Sequence, residues 1–217
     1  MIWIVSAIES ELLSLARGLE LEGESFPILD EKRGLLLAPA GIGWLNAYQG
    51  LSDLKAQSGT AGSPIAAFGP RPTQIIFIGT AGSYDPEVKI GDVVQASDVI
   101  LLDGAAELGL SGYPSFDPPT FIKAKEIFPE EESYKVASLL SLTLDPNLSD
   151  IIYKNRGVSL ENMEAYAIAA FSKANKIDFS GVFAVTNKVG PEGHVEWKAN
   201  HKAVEIACGE KVLELFG

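Results

Sequence analysis

Ile75-Ile76-Phe77-Ile78-Gly79-Thr80-Ala81-Gly82-Ser83 sets four large apolar residues ahead of a run of small ones. A short apolar run without polar alternation is the pattern of a strand buried on both faces, and the small residues after Ile78 predict a turn. The same pattern opens the chain. Residues 2–6 (Ile-Trp-Ile-Val-Ser) read as a first buried strand, and residues 8–19 then place Ile8, Leu12, Leu15, Ala16 and Leu19 at helical spacing. Between these two strands, residues 35–38 form an apolar run ended by Pro39, Gly41-Ile42-Gly43 punctuates it, and residues 44–54 read as a helix. Residues 56–72 carry Gly, Ser and Pro without periodicity and read as a loop. Downstream, residues 93–102 read as extended, 104–120 as an exposed loop, 134–144 as a strand and 146–154 as a short helix. Residues 160–174 read as a strong helix, 179–186 as a strand and 198–215 as the closing helix. Strands that alternate with helices and are apolar on both faces predict an α/β fold, a central, largely parallel sheet covered by helices on two sides. No repeat, low-complexity segment or linker divides residues 1–217, so one domain is expected.

Composition excludes several classes. Of 217 residues, 47% are hydrophobic and 21% charged, as in soluble globular proteins. The net charge of −12 repels phosphate backbones and anionic lipid, so neither nucleic acid nor membrane is expected as a partner. The single cysteine, Cys208, can form no internal disulfide and no cysteine set for a structural zinc. It falls among Val204, Ile206 and Leu213 and reads as a small buried hydrophobe. The start of the chain has no basic segment before a long apolar run, and no stretch reaches membrane-spanning length, so a cytoplasmic location is expected. Gly79-Thr80-Ala81-Gly82 is neither a Walker A loop nor a dinucleotide fingerprint, so no nucleotide cofactor is indicated, and no metal is expected.

A few polar residues sit where chemistry could use them. Glu164 shares a helical face with Ala167, Ile168 and Phe171, so it points where the apolar stripe points. A carboxylate there is costly unless it is paired, held at a helix start, or used. Glu9 and Glu11 follow the first strand directly, at the kind of turn where α/β sheets bind ligands; they are also what ordinary first-turn acids look like. The small residues Thr80, Ala81 and Gly82 would let backbone N–H groups approach a sugar or anion, or serve only packing. Asn187 ends a strand. Its amide can donate and accept at a purine edge, or simply form a turn. His194 and Trp197 follow in a loop, where Trp197 could offer an aromatic face to a base, and His201 is placed on the surface of the last helix.

Taken in order, these segments resemble the nucleoside phosphorylase and nucleosidase superfamily. Residues 6–12 (Ser-Ala-Ile-Glu-Ser-Glu-Leu) resemble the first strand–helix turn of methylthioadenosine/S-adenosylhomocysteine nucleosidases. Ala40-Gly41-Ile42-Gly43 with Asn46-Ala47 resembles their Ser-Gly-Ile-Gly segment. Gly79-Thr80-Ala81-Gly82 with Val88-Lys89-Ile90-Gly91-Asp92-Val93-Val94 is similar to their longest signature. Glu161-Asn162-Met163-Glu164-Ala165 and Ala184-Val185-Thr186-Asn187 are similar to the two late motifs. The resemblance implies a three-layer α/β/α fold with a central mixed sheet, a small-molecule nucleoside substrate, and a homo-oligomer, dimer or larger. It implies that Glu11 positions and deprotonates the attacking water, Glu164 holds the ribose hydroxyls, Met163 packs under the sugar, Thr80 sits by the water or anion pocket, and Asn187 contacts the purine near N7.

The chain departs from that pattern in three places. Nucleosidases acting on methylthioadenosine carry Asp where Asn187 stands, and an amide cannot act as an acid. Asn followed by a downstream Trp is similar to futalosine hydrolases, which cleave a 6-oxopurine nucleoside on a menaquinone route. The arginines are Arg17, Arg33, Arg71 and Arg156, none in a phosphate-binding motif of the phosphorylases, which favours hydrolysis over phosphorolysis. The base-stacking aromatic is Phe121, Tyr113 or Trp197. A purine nucleosidase acting on a 6-oxopurine is therefore the expectation. A methylthioadenosine/S-adenosylhomocysteine nucleosidase, a purine nucleoside phosphorylase and a catalytically impaired nucleoside-binding protein are the alternatives.

Overall fold

The computed structural model describes residues 1–21, 25–58, 60 and 72–217. Four parallel strands form its spine: β3 (Leu35–Pro39), β1 (Ile2–Ser6), β4 (Gln74–Ser83) and β9 (Asp178–Lys188). The remaining strands make the sheet mixed. β5 (Val93–Leu101) runs antiparallel to β9 and parallel to β7 (Ser133–Ser138), which pairs in parallel with β8 (Leu160–Glu161). β8 returns antiparallel to the end of β4, so β4, β9, β5, β7 and β8 close into a ring. Two short strands extend the sheet, β2 (Ile28–Asp30) on β3 and β6 (Ile122–Lys123) on β5.

Successive strand residues point to opposite faces, so one apolar strand feeds two cores. Ile4, Leu35, Leu37, Ile76, Ile78 and Val182 pack under α1 (Ser10–Gly18) and α6 (Gly193–Leu213). Their neighbours Trp3, Val5, Leu36, Ile75, Phe77 and Phe183 pack on the other face, under α2 (Trp44–Ser58) and α5 (Ala165–Asn175). The result is helix, sheet, helix, as expected. A third cluster gathers Ile100, Leu102, Ala137 and Leu139 with Leu148 of α4 (Pro146–Ile151) and with Ile152.

Several local expectations are corrected. Gly79–Ser83 is not a turn: β4 continues through it, in register with β9 to Lys188 apart from one shift between Ala81 and Gly82. The small residues serve close packing. A Cβ on Gly82 would lie 2.9 Å from both the Asn187 amide and Val189. The helix expected over 160–174 begins only at Ala165, because the Asn162 side chain accepts the N–H groups of Glu164 and Ala165 and ends the preceding strand there. The strand expected over 134–144 stops at Ser138, and the helix over 146–154 is α4 followed by a π-helical turn, Ile152–Arg156. The loop 104–120 holds a short helix, α3 (Gly104–Glu107), whose N-terminal N–H groups bond to the Asp103 side chain. The closing helix begins at Gly193, so His194 and Trp197 stand on its first turns rather than in a loop. Of the loop expected at 56–72, residues 56–58 finish α2, while 59 and 61–71 lie outside the described residues.

The seat of α2 on the sheet depends on Gly50, where a Cβ would come within 2.0 Å of the Ala40 carbonyl oxygen. Gly50→Ala must push helix and strand apart. It is expected to destabilise the protein by about 1–3 kcal/mol in urea unfolding, despite the better helix propensity of alanine.

Candidate active site

The sheet splits along one edge of β4. β1 covers that edge over Gln74–Phe77 and β8 over Gly82–Ser83. Among the described residues no strand covers the segment between them, which contains Thr80. Backbone groups withdrawn from water need partners, and at half-buried Thr80 side chains supply them. The Thr80 N–H donates to Glu11 Oε1 at 3.2 Å, and the Thr80 carbonyl accepts from Asn162 Nδ2 at 2.9 Å.

Glu11 is thereby fixed. Its other oxygen accepts the N–H groups of Ala7 at 3.0 Å and Ile8 at 3.3 Å, closing the start of its own helix. Only 6% of the residue is exposed. Burial pushes its carboxyl up to about 8; the Ile8 and Ala7 N–H groups oppose the rise, and the negative charges of Glu164 and Glu205 add to it.

Glu164 reaches the same space from the start of α5 and is 5% exposed. Its Oε1 accepts the Gly43 N–H at 2.7 Å, at the entrance to α2. Gly43 has φ +80°, a conformation open to glycine, and it turns its N–H toward the carboxylate at the positive end of a helix. Burial raises the Glu164 carboxyl above the ordinary range, against the pull of the Gly43 N–H.

Asn187 is clamped between glycines: a Cβ on Gly82 or Gly193 would lie 2.9 or 3.0 Å from its Nδ2. Its Oδ1 accepts from the Thr186 hydroxyl at 2.7 Å, and its Nδ2 donates to the Lys188 carbonyl at 2.9 Å. Trp197 stacks on His201, rings 4.4 Å apart and 11° from parallel, so its plane is held before any ligand arrives.

One cavity of about 310 Å³ brings together Glu11, Thr80, Ala81, Gly82, Met163, Glu164, Asn187 and Trp197. That is room for a small organic ligand. Of the three aromatic candidates, Trp197 alone lines it. Phe121 lies under the Lys135 ammonium, and Tyr113 bonds to Glu107. His194 also lines the cavity. Among the described residues no arginine does: Arg33 pairs with Asp30 and Arg156 with Glu107, while Arg71 lies outside the described residues.

Sequence reading passed over three polar lining residues, Asn162, Glu161 and Thr143. Asn162 orders the whole corner, bonding Thr80 on one side and the first N–H groups of α5 on the other. An Asn two residues before an apolar helical stripe was the available signal. Glu161 is a third buried carboxylate. It accepts from the Thr143 N–H at 3.1 Å, the Thr143 hydroxyl at 2.5 Å and the Tyr84 hydroxyl. It pins the 142–144 segment that forms one wall, and no local sequence pattern announces that long-range contact.

Residues 61–216 match the Phosphorylase superfamily. The chain belongs to this superfamily. Its fold is shared with solved structures across nearly the whole length. Native futalosine hydrolase of Helicobacter pylori superposes with a TM-score of 0.79 at 14% identity, covering 99% of this chain and 96% of that one. The 5'-methylthioadenosine/S-adenosylhomocysteine nucleosidase of H. pylori gives 0.78 at 14% identity (99% and 97% covered). Its Campylobacter jejuni counterpart gives 0.74 at 20% identity (99% and 97%). None of the curated proteins matches the chain significantly.

In this superfamily member, the raised Glu11 carboxyl ties stability to pH. The folded state binds its proton more tightly than the unfolded chain. Stability from Glu11 is therefore full below the ordinary glutamate range and is lost as pH rises through about 8. Glu11→Gln mimics the protonated form. Urea unfolding from pH 5 to 9 should show the variant gaining on the wild type as pH rises, whereas a constant difference would show that Glu11 does not titrate as described.

Proposed function

We propose that this protein is a purine nucleosidase, hydrolysing the N-glycosidic bond of a 6-oxopurine nucleoside of the futalosine kind, and that it works as a cytoplasmic homo-oligomer. The observation that carries the reading is the pair of buried carboxylates, Glu11 and Glu164, opening on one cavity that Asn187 and Trp197 also line.

The ribose would rest on Met163 with its hydroxyls on Glu164, and the base on the Trp197 face. Breaking the C1'–N9 bond builds positive charge on the sugar, as in other glycoside hydrolyses, and fixed carboxylates stabilise it. Water held by Glu11 attacks C1'; its oxygen bonds the sugar and its proton passes to Glu11. A base with a pKa near 8 is matched to that transfer close to neutral pH. The departing base carries the negative charge. Asn187 has no proton to surrender, but its Nδ2 can donate a hydrogen bond at N7 or O6. A 6-oxopurine spreads the charge onto O6 and so depends less on full protonation at N7 than a 6-aminopurine does. The cavity lined without arginine among the described residues favours water over phosphate as the nucleophile.

Exposed apolar residues support the oligomer. Ile42, Leu142 and Leu144 are 60%, 52% and 56% exposed, and they also line the mouth of the cavity. A second copy covering them would narrow that mouth.

Incubation with futalosine, inosine and 5'-methylthioadenosine, with and without phosphate, tests the proposal. Free base released from a 6-oxopurine nucleoside without phosphate is expected. Glu11→Gln should lower kcat about 10²-fold or more, and Asn187→Asp should shift preference toward the 6-aminopurine. Strict dependence on phosphate, or turnover of methylthioadenosine alone, would contradict it. Sedimentation should give at least twice the 23.2 kDa of one chain.

A further inference from the structure

α1 and α6 lie side by side and parallel, and their contacts fix the register. Gly18 faces Leu213, and a Cβ on Gly209 would sit 2.8 Å from Ser14 Cβ and from the Leu15 nitrogen. The Ser14 hydroxyl also donates to the Ile206 carbonyl at 3.2 Å. A step of four residues along α1, from Gly18 to Ser14, matches a step of four along α6, from Leu213 to Gly209. The next step sets Glu205 beside the Ser10–Glu11 turn.

Glu205 is 7% exposed, and the chemistry above makes no use of it. Burying a second carboxylate next to Glu11 is costly unless something holds it. What holds it is His201, whose Nδ1 lies 3.0 Å from Glu205 Oε1. The expected surface position of His201 is thus corrected: it is half-buried, with its ring stacked on Trp197. Trp197 in turn lines the cavity and lies parallel to the His194 ring, 7° off at 5.9 Å. The contacts run from the cavity through Trp197 and His201 to Glu205, whose charge acts on Glu11.

We infer that His201 and Glu205 are positioning residues for this site: Glu205 sets the charge that Glu11 works against, and His201 holds the Glu205 carboxylate and the Trp197 ring together. The effect on turnover rests on the nucleosidase reading; the effect on Glu11 itself does not. The titratable groups facing Glu11 are Glu164 at the start of α5 and Glu205 and Cys208 from α6, with His201 acting through Glu205. Burial pushes the Cys208 thiol up to about 12, which leaves it neutral. From the β1–α1 turn and from β4, Glu11 meets backbone N–H groups. A negative Glu205 makes the Glu11 proton harder to lose, so removing that charge must bring the titration of Glu11 down.

The test is a carbon-NMR titration of protein carrying ¹³C at the glutamate carboxyls, with the Glu11 signal assigned by its loss in Glu11→Gln. In the isosteric Glu205→Gln the Glu11 midpoint is expected to fall by roughly one pH unit, and in Glu205→Asp, which keeps the charge, to stay near the wild-type value. The acid limb of kcat/KM should move with it. His201→Ala should raise KM severalfold, and His201→Phe, which restores a ring under Trp197, should recover KM. An unmoved midpoint in Glu205→Gln overturns the charge role, and equal KM values in the two His201 variants overturn the stacking role. The NMR midpoint needs no turnover, so a protein that cleaves no nucleoside would defeat the nucleosidase reading and still leave Glu205 decided.

Discussion

The site depends on one residue's backbone. Thr80 stands where β4 has lost β1 and has not yet gained β8, so its N–H and C=O face a gap inside the sheet. Leaving both groups unbonded in this half-buried place would be costly. Glu11 answers the first and Asn162 the second. Because Asn162 also bonds the N–H groups that open α5, the same gap fixes Glu164. The requirement to satisfy a broken strand edge thus brings together residues far apart in sequence. Open α/β sheets place their ligand sites where neighbouring strands part, and the candidate site stands at such a place.

The buried carboxylates are held differently. Glu11 has three backbone N–H partners yet remains raised to about 8, because desolvation outweighs them and two further carboxylates are near. Glu164 faces the amide end of α2 through Gly43. Glu161 spends both oxygens on Thr143 and Tyr84 and so acts on the wall. A carboxyl raised by burial, one turned to the start of a helix and one already saturated are three outcomes of the same side chain in three surroundings.

Much of the fold was legible in the sequence because burial on both faces leaves a run such as Ile75–Ile78 with no polar interruption. The helices under it were legible from apolar spacing. What failed was local. Apolar periodicity carried the helix reading back to Leu160, across Asn162, although an Asn at that point competes for the backbone N–H groups. The run Gly79–Ser83 looked like a turn because the reason Gly82 is small, the close approach of Asn187 and Val189, is a contact more than a hundred residues away in sequence. Glu11, Glu164, Asn187 and Trp197 could be singled out by residue type and by resemblance. Glu161 could not, because its partners come from the packing of the 142–144 segment and Tyr84 against β8. Trp197, His201 and Glu205 stand at steps of four along one helix, but what ties them to Glu11 is the packing of α1 against α6.

A crystal structure with a non-hydrolysable 6-oxopurine nucleoside analogue tests the central claim most directly. The analogue should lie with its ribose hydroxyls within hydrogen-bond distance of Glu164, a water between Glu11 and C1', and its base on Trp197 with Asn187 at the N7–O6 edge. A ligand bound elsewhere, or one in this cavity whose sugar touches neither carboxylate, would contradict it.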